Sequence, residues 1–361
     1  MTSPCTPSSS PLVVGGVDTH KDLHVAAVVD AADAVIATES FSTTRAGYRA
    51  LLRWMRAYGD IARIGVECTG SYGAGLMRHL DAAGIEVLEV TAGDKADRRR
   101  RGKDDTIDAE NAAHAAFARV RTVTPRARDG MVESLRVLKV ARKTAISGRR
   151  IALQMIQTQI ISAPEEVRDQ LRNLTRMQLI RTLAASRPDM TGFRDPVTAT
   201  RIALKSLARR YLELHDEIAD LEVLMHALVD ELGPDLLALT GVGYESAAQL
   251  LLTAGDNPAR LNSESSFAML CGAAPLPASS GQTTRHRLNR GGDRAANSAL
   301  HMIAISRWRI DPATQAYVAR KRAAGHSNPE ILRCLKRYIA REIYYHLRDH
   351  ARAAGQVRAA A

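Results

Sequence analysis

The chain has 361 residues, 45% hydrophobic and 25% charged, enough for two or three domains and too apolar for a disordered chain. Aromatics are only 4%, which argues against single-strand binding dominated by stacking; no apolar run is long enough to cross a bilayer; and Cys5, Cys68, Cys271 and Cys334 form no Cys-x-x-Cys pair, which leaves no zinc knuckle or disulfide framework and suits a reducing cytoplasm. The net charge is +11, and residues 281–361 alone hold 16 Lys/Arg against 5 Asp/Glu, so the whole excess sits at the C-terminal end, as in a polyanion binder or, more plainly, a soluble basic tail.

Residues 1–12 are Ser/Thr/Pro-rich without the features of a signal peptide and read as a tail. Leu12 to Val17 is an apolar run that reads as a buried strand, with Asp18 at its end. Leu23 to Val29 and Ala34 to Ser42 read as two more strands of an antiparallel meander. Ala46 to Tyr58 has helical spacing through Tyr48, Leu51, Leu52 and Met55. Arg63 to Cys68 reads as a strand carrying Glu67 near its end. A turn at Gly70 and Gly73, a helix over Ala74 to Ala83 and a strand over Ile85 to Thr91 follow. This order predicts a mixed sheet with helices able to cover both faces.

Next comes a basic run, Arg98, Arg99, Arg100, Arg101 and Lys103, and an alanine-rich helix, Asp108 to Val120. Asp105 and Asp108 are three residues apart, so on a helix they share one face. Such a pair either holds a cation, and Mg²⁺ is commonly held by carboxylates together with substrate phosphates, or is an acidic first turn favoured by the helix dipole. Asp18 and Glu67 tip the balance toward a metal. Four acids from three elements can converge on one site, and they cannot all stay ionised there without a cation. Divalent ions among them would activate a nucleophile on a phosphodiester and stabilise its leaving oxygen.

Residues 126–232 are polar and helical. Leu207, Tyr211, Leu214, Ile218, Leu221, Met225 and Leu228 alternate spacings of four and three, a heptad stripe. It reads as a hairpin packing on its own chain or as a dimer-forming coiled coil. Ser186 to Pro196 carries the turn between long helices. After Gly233-Pro234, Gly241-Val242-Gly243 reads as a helix-hairpin-helix turn whose backbone approaches a phosphate, or as a plain glycine turn. A Ser279-Ser280-Gly281 loop precedes Arg285, Arg287, Arg290 and Arg294. A serine so placed can attack phosphorus while arginines hold the phosphate oxygens, although most such loops are only loops. Helices over Asn297 to Ile310 and Pro329 to Leu347 close the chain.

Together these motifs resemble the DEDD transposases of the IS-one-ten insertion-sequence group, relatives of the Piv DNA invertase. The matching residues are Gly16-Val17-Asp18-Thr19-His20-Lys21, Glu67-Cys68-Thr69-Gly70, Lys103-Asp104-Asp105-Thr106-Ile107-Asp108-Ala109, and Gly272-Ala273-Ala274-Pro275 through Ser280-Gly281. The resemblance implies an α/β plus α protein: a RuvC-like, RNase H-type domain over 13–125, a helical or coiled-coil region over 126–232, a mostly helical transposase domain over 233–350, and a tail over 351–361. It implies Mg²⁺ at Asp18, Glu67, Asp105 and Asp108, and covalent attack on DNA by Ser280. It implies donor and target DNA and a structured bridge RNA as partners, with sequence read by base pairing. It also implies a homo-oligomer, dimer or tetramer, acting at the bacterial nucleoid with no membrane. Gly292-Asp293-Arg294-Ala295-Ala296-Asn297 departs from the Gly-Asn-x-x-Leu-Arg of many relatives, so DNA contacts do not transfer there residue by residue. Two other functions fit the same residues: a structure-specific nuclease using metal-activated water, and a nucleic-acid-binding protein without catalysis.

Overall fold

The computed structural model describes residues 10–90, 104–126, 130–255, 263–278 and 286–360. The stretch before residue 10, Arg98 to Arg101, Lys103, Ser279, Ser280 and Arg285 lie outside the described residues. The chain forms two compact units, one within Met1–Arg128 and the other within Asp129–Ala254 and Ser263–Ala361. Among the described residues no helix is long and apolar enough to cross a membrane.

The first unit is a six-stranded mixed sheet of β1 (Leu12–Thr19), β2 (Leu23–Val29), β3 (Val35–Ser42), β4 (Asp60–Glu67), β5 (Val87–Val90) and β6 (Thr122–Val123). The order is β3-β2-β1-β4-β5-β6. β1, β2 and β3 form the predicted antiparallel meander, whereas β4 and β5 add in parallel. The two-residue β6, too short to carry an alternating pattern, was not foreseen; it closes the edge antiparallel to β5. Among the described residues the unit's helices are α1 (Arg45–Arg56), α2 (Ala74–Ala82) and α3 (Asp105–Ala118). This is the mixed α/β arrangement that the element order predicts, and it is consistent with the RNase H-type domain that the resemblance implies.

Alternation along the strands sorts their side chains between two cores. Val13 and Val17 of β1 and Ile64 and Val66 of β4 pack with Leu51 and Met55 of α1 and Leu76 and Leu80 of α2. Val14 of β1, with Val25, Ala27 and Val29 of β2, packs against Ala109, Ala113 and Ala116 of α3. Gly16 and Gly65 have the parity of this second face, and they pair across β1 and β4. A Cβ on Gly16 would lie 2.1 Å from the Ala113 nitrogen, and one on Gly65 would lie 2.4 Å from the Ala112 oxygen. The helix therefore rests its backbone directly on two glycines, and its alanine face is what permits that approach.

The second unit is helical: α4 (Gly130–Ile161), α5 (Glu165–Leu171), α6 (Arg176–Ala185), α7 (Pro196–Leu232), α8 (Pro234–Leu237), α9 (Tyr244–Ala254), α10 (Glu264–Leu270), α11 (Arg294–Ile310), α12 (Pro312–Ala323) and α13 (Asn328–Ala360), with a small ladder of β7 (Leu276–Pro277) and β8 (His286–Arg287). α4 and α7 run antiparallel, with Arg142 bonded to Glu222 and Arg149 to His215. Tyr211, Ile218 and Met225 of the heptad stripe are buried within the chain, as in the hairpin reading. The turn predicted at Ser186 to Pro196 leads into α7, and two short helices, α5 and α6, stand between α4 and that turn. Their Val167, Leu171, Leu179, Ile180 and Leu183 cap the hairpin end with Ile156 and Leu204. α13 continues through the stretch read as a C-terminal tail.

Candidate active site

Parity places the first two acids. Asp18 follows Gly16 by two and Glu67 follows Gly65 by two, so both carboxylates share the α3 face of the sheet. Val17 pairs with Val66, and the acids stand side by side at the ends of adjacent parallel strands. The Thr19 hydroxyl donates to the Glu67 carbonyl at 2.9 Å and ties the strand ends together.

α3 supplies the other two. Asp104 caps it, accepting from the Thr106 N–H at 3.0 Å, so this aspartate belongs to the helix start. Asp105 and Asp108 then fall in the first turn. Asp18, Glu67 and Asp108 are buried, at 6%, 7% and 7% exposure. A dipole-favoured acidic turn accounts for a solvated carboxylate, not for one enclosed over the end of a sheet. Asp105 is half-exposed at the rim.

His20 completes the cluster. Its Nε2 lies 3.0 Å from Asp18 Oδ2 and 3.2 Å from Asp105 Oδ1. The ligand atoms of Asp18, His20 and Asp105 all lie within 4.8 Å of one another. Burial pushes the Asp18 carboxyl above its usual range; the His20 ring pulls the other way, while Asp108 and Asp105 push it further up. A buried carboxylate raised by its acidic neighbours is one that a cation would relieve, and the donor set suits a divalent ion. In the sequence His20 stands inside the first acidic motif, where nothing but its place two residues after a strand-end acid marks it as a ligand.

In the second unit, Arg287 lies on β8, Arg290 in the following turn and Arg294 at the start of α11, all exposed. Asp293 caps α11 and accepts from Thr253 at 2.7 Å. Asn297 donates to the carbonyls of Cys271 and Gly272 at 3.0 and 2.9 Å and accepts from buried Lys336 at 2.9 Å. Asn297, itself held by Lys336, thereby pins the start of the Gly272–Pro275 turn that leads into β7. Beside it a cavity of about 650 Å³ is lined by Arg287, Arg333, Lys336, Arg337 and Arg341. The α13 cations were missed because helical arginines and lysines read equally well as a solvated face. Gly241, at φ +78°, packs where a Cβ would come within 3.2 Å of the Ile303 carbonyl, while Gly243 is exposed with open space around it.

A family model described as transposase, of the DEDD type of IS110, matches residues 15–162, and a second, described as transposase IS116/IS110/IS902 family, matches residues 234–319. The chain belongs to the IS110 family of transposases. The uncharacterized 43.6 kDa protein of insertion element IS110 from Streptomyces coelicolor is 32% identical over 151 residues, covering 41% of this chain and 37% of that protein. The uncharacterized 42 kDa protein of insertion element IS900 from Mycobacterium paratuberculosis is 24% identical over 392 residues, covering 94% and 96%. The first IS110 match holds the whole carboxylate cluster and all of α4. The second runs from α8 into α12 and includes Gly241, Gly243 and the Gly272–Pro275 turn.

Proposed function

We propose that this IS110-family protein is a DNA recombinase that cuts and rejoins donor and target DNA to move its insertion sequence. The observation that carries this reading is the convergence of Asp18, His20 and Asp105 at the end of β1, with Glu67 ending the neighbouring strand and Asp108 one turn along α3. Asp18, Glu67, Asp105 and Asp108 would hold Mg²⁺. When bound, the ion supplies charge stabilisation to a phosphodiester undergoing displacement. Ser280 is the nucleophile: its Oγ forms a bond to phosphorus, the bond to the 3′ oxygen breaks, and the serine proton ends on that departing oxygen. The resulting 5′-phosphoserine conserves the bond energy for rejoining to a second strand.

Arg98 to Arg101, Lys103, Arg285, Arg287, Arg290 and Arg294 hold nucleic-acid backbone, as do the cavity arginines and the Gly241–Gly243 turn. A structured bridge RNA selects donor and target by base pairing, so the protein reads backbone and shape. The three functional regions are 13–125, 126–232 and 233–350, and the protein works as a homo-oligomer on the nucleoid.

The test is a search for a covalent adduct. Protein is combined with RNA transcribed from the element's flanking non-coding DNA, labelled donor and target DNA, and Mg²⁺, then denatured. Label should migrate with the protein, vanish with Ser280→Ala, and be lost or strongly reduced with Asp105→Ala. Cleaved DNA without an adduct, insensitive to Ser280→Ala, would instead identify a nuclease using activated water.

A further inference from the structure

We propose that His20 is itself a ligand of the divalent cation, so that the site binds through a mixed nitrogen and oxygen set in which His20 joins the carboxylates beside Asp18 and Asp105. This rests on reading the carboxylate cluster as a metal centre and goes beyond it by adding a nitrogen donor that sets which metal is preferred.

The geometry is that of adjacent ligands on one ion. Donors about 2.1 Å from an octahedral cation and at right angles to each other stand about 3 Å apart. The His20 Nε2 lies 3.0 Å from one carboxylate oxygen and 3.2 Å from the other. Bound to the ion, the imidazole would join two acids that repel each other and complete a ligand set without adding negative charge.

The fold aims the ring. His20 follows β1 in the tight turn to β2, and its backbone N–H donates to the Leu23 carbonyl at 3.2 Å. The turn is further pinned by the Thr43 hydroxyl, which donates to the Lys21 carbonyl at 2.8 Å. The side chains of His20 and Asp105 are 39% and 47% exposed, against 9% for Asp18. The nitrogen donor therefore stands at the open rim, where a phosphate oxygen would enter the same coordination sphere.

The chemical consequence is selectivity. Carboxylate and water sites suit Mg²⁺, whereas imidazole favours transition metals. A carboxylate-only site leaves Mn²⁺ a small advantage; one with His20 bound widens it. The opposing picture is a histidine that only hydrogen-bonds the two carboxylates and is displaced when the cation arrives.

The experiment uses the full chain and Mn²⁺ as the probe. Binding is titrated by the loss of the free-ion paramagnetic resonance signal, and pulsed resonance detects ¹⁴N coupled to the bound ion. Wild type should show ¹⁴N coupling that His20→Ala abolishes. Mn²⁺ affinity should fall about ten-fold in His20→Ala, and Mg²⁺ affinity, read by competition, should fall less. His20→Gln keeps a hydrogen-bonding side chain of similar reach and should resemble His20→Ala, with circular dichroism establishing that both fold. Bound Mn²⁺ without ¹⁴N coupling, or affinity that is unchanged or higher in His20→Ala, overturns the proposal. Asp18→Asn separates this from the wider reading. If Asp18→Asn abolishes Mn²⁺ binding while His20→Ala keeps it, only the histidine's role falls. If Asp18→Asn binds as tightly as wild type, the metal centre itself falls.

Discussion

Burial holds the Asp18 carboxyl above its usual range, and Asp108 and Asp105 add to that push. The sign of the consequence follows from linkage. A carboxyl that binds its proton more tightly folded than unfolded favours folding at low pH, and that contribution is lost as pH rises through its folded value. At neutral pH the ionised group therefore opposes folding of the metal-free protein. Asp18→Asn should melt higher than wild type in a chelator, and should lack the rise in melting temperature expected of wild type on adding a divalent ion. A variant that melts lower in the chelator would mean that Asp18 is structural. His24 gives a second pH dependence, of opposite kind. It is fully enclosed, stacked on Tyr48 at 5.7 Å, and burial lowers its pKa from 6.5 to about 4. Protonation then favours the unfolded chain, so stability present in full above pH 6.5 is lost as pH falls toward 4. Across that window the loss should be about 3 kcal/mol. His24→Phe keeps the stack and should flatten this part of the pH profile, as measured by denaturant midpoints from pH 7 to 4. An unchanged slope would place the acid sensitivity elsewhere.

At the scale of elements, the site depends on how closely α3 approaches the sheet. Gly16→Ala puts a methyl 2.1 Å from the Ala113 nitrogen, and only movement of backbone can relieve that. It should destabilise by about 1–3 kcal/mol and weaken metal binding, because Asp105 and Asp108 ride on the displaced helix. Gly243→Ala, with nothing within 4 Å, is the matched control and should leave stability nearly unchanged. Denaturation and Mg²⁺ titration of both variants decide it, and a Gly16→Ala protein of normal stability would show that the helix does not depend on this contact. Much of this element was readable in advance. The meander, β4, α1 and α2 announce themselves by alternation or helical spacing, and Asp18, Glu67, Asp105 and Asp108 stand where strands end and a helix begins. What escaped was relational. The Gly-x-acid pattern occurs twice, at Gly16-Val17-Asp18 and Gly65-Val66-Glu67, but only the β1–β4 register shows that the two copies lie side by side. α12 escaped for a different reason: of its twelve residues only Thr314 and Val318 are buried, too few to form a stripe.

For the molecule as a whole, the question is what the C-terminal excess charge does. Composition located it in residues 281–361 without saying which cations share a surface. The structure gathers Arg287, Arg333 and Arg341 around one cavity, beside the turn held by Asn297 and Lys336. Not every cation there is equally available to a ligand. Arg337 is committed to Glu264 through two bonds, and Lys336 to Asn297. Arg333 and Arg341 are therefore the better choice for a test of phosphate binding. In a backbone-reading protein, each phosphate contact adds about 0.9 to the slope of log affinity against log salt on duplex DNA. Arg333→Ala combined with Arg341→Ala should flatten that slope by about 2 and weaken binding alike on unrelated sequences. Fluorescence anisotropy with two unrelated duplexes from 50 to 200 mM salt gives both readings. A slope unchanged by the double substitution would mean that the cavity carries no backbone contact. A loss confined to one duplex would mean that these arginines read bases, against the proposed division of labour in which an RNA supplies the sequence and the protein supplies the grip.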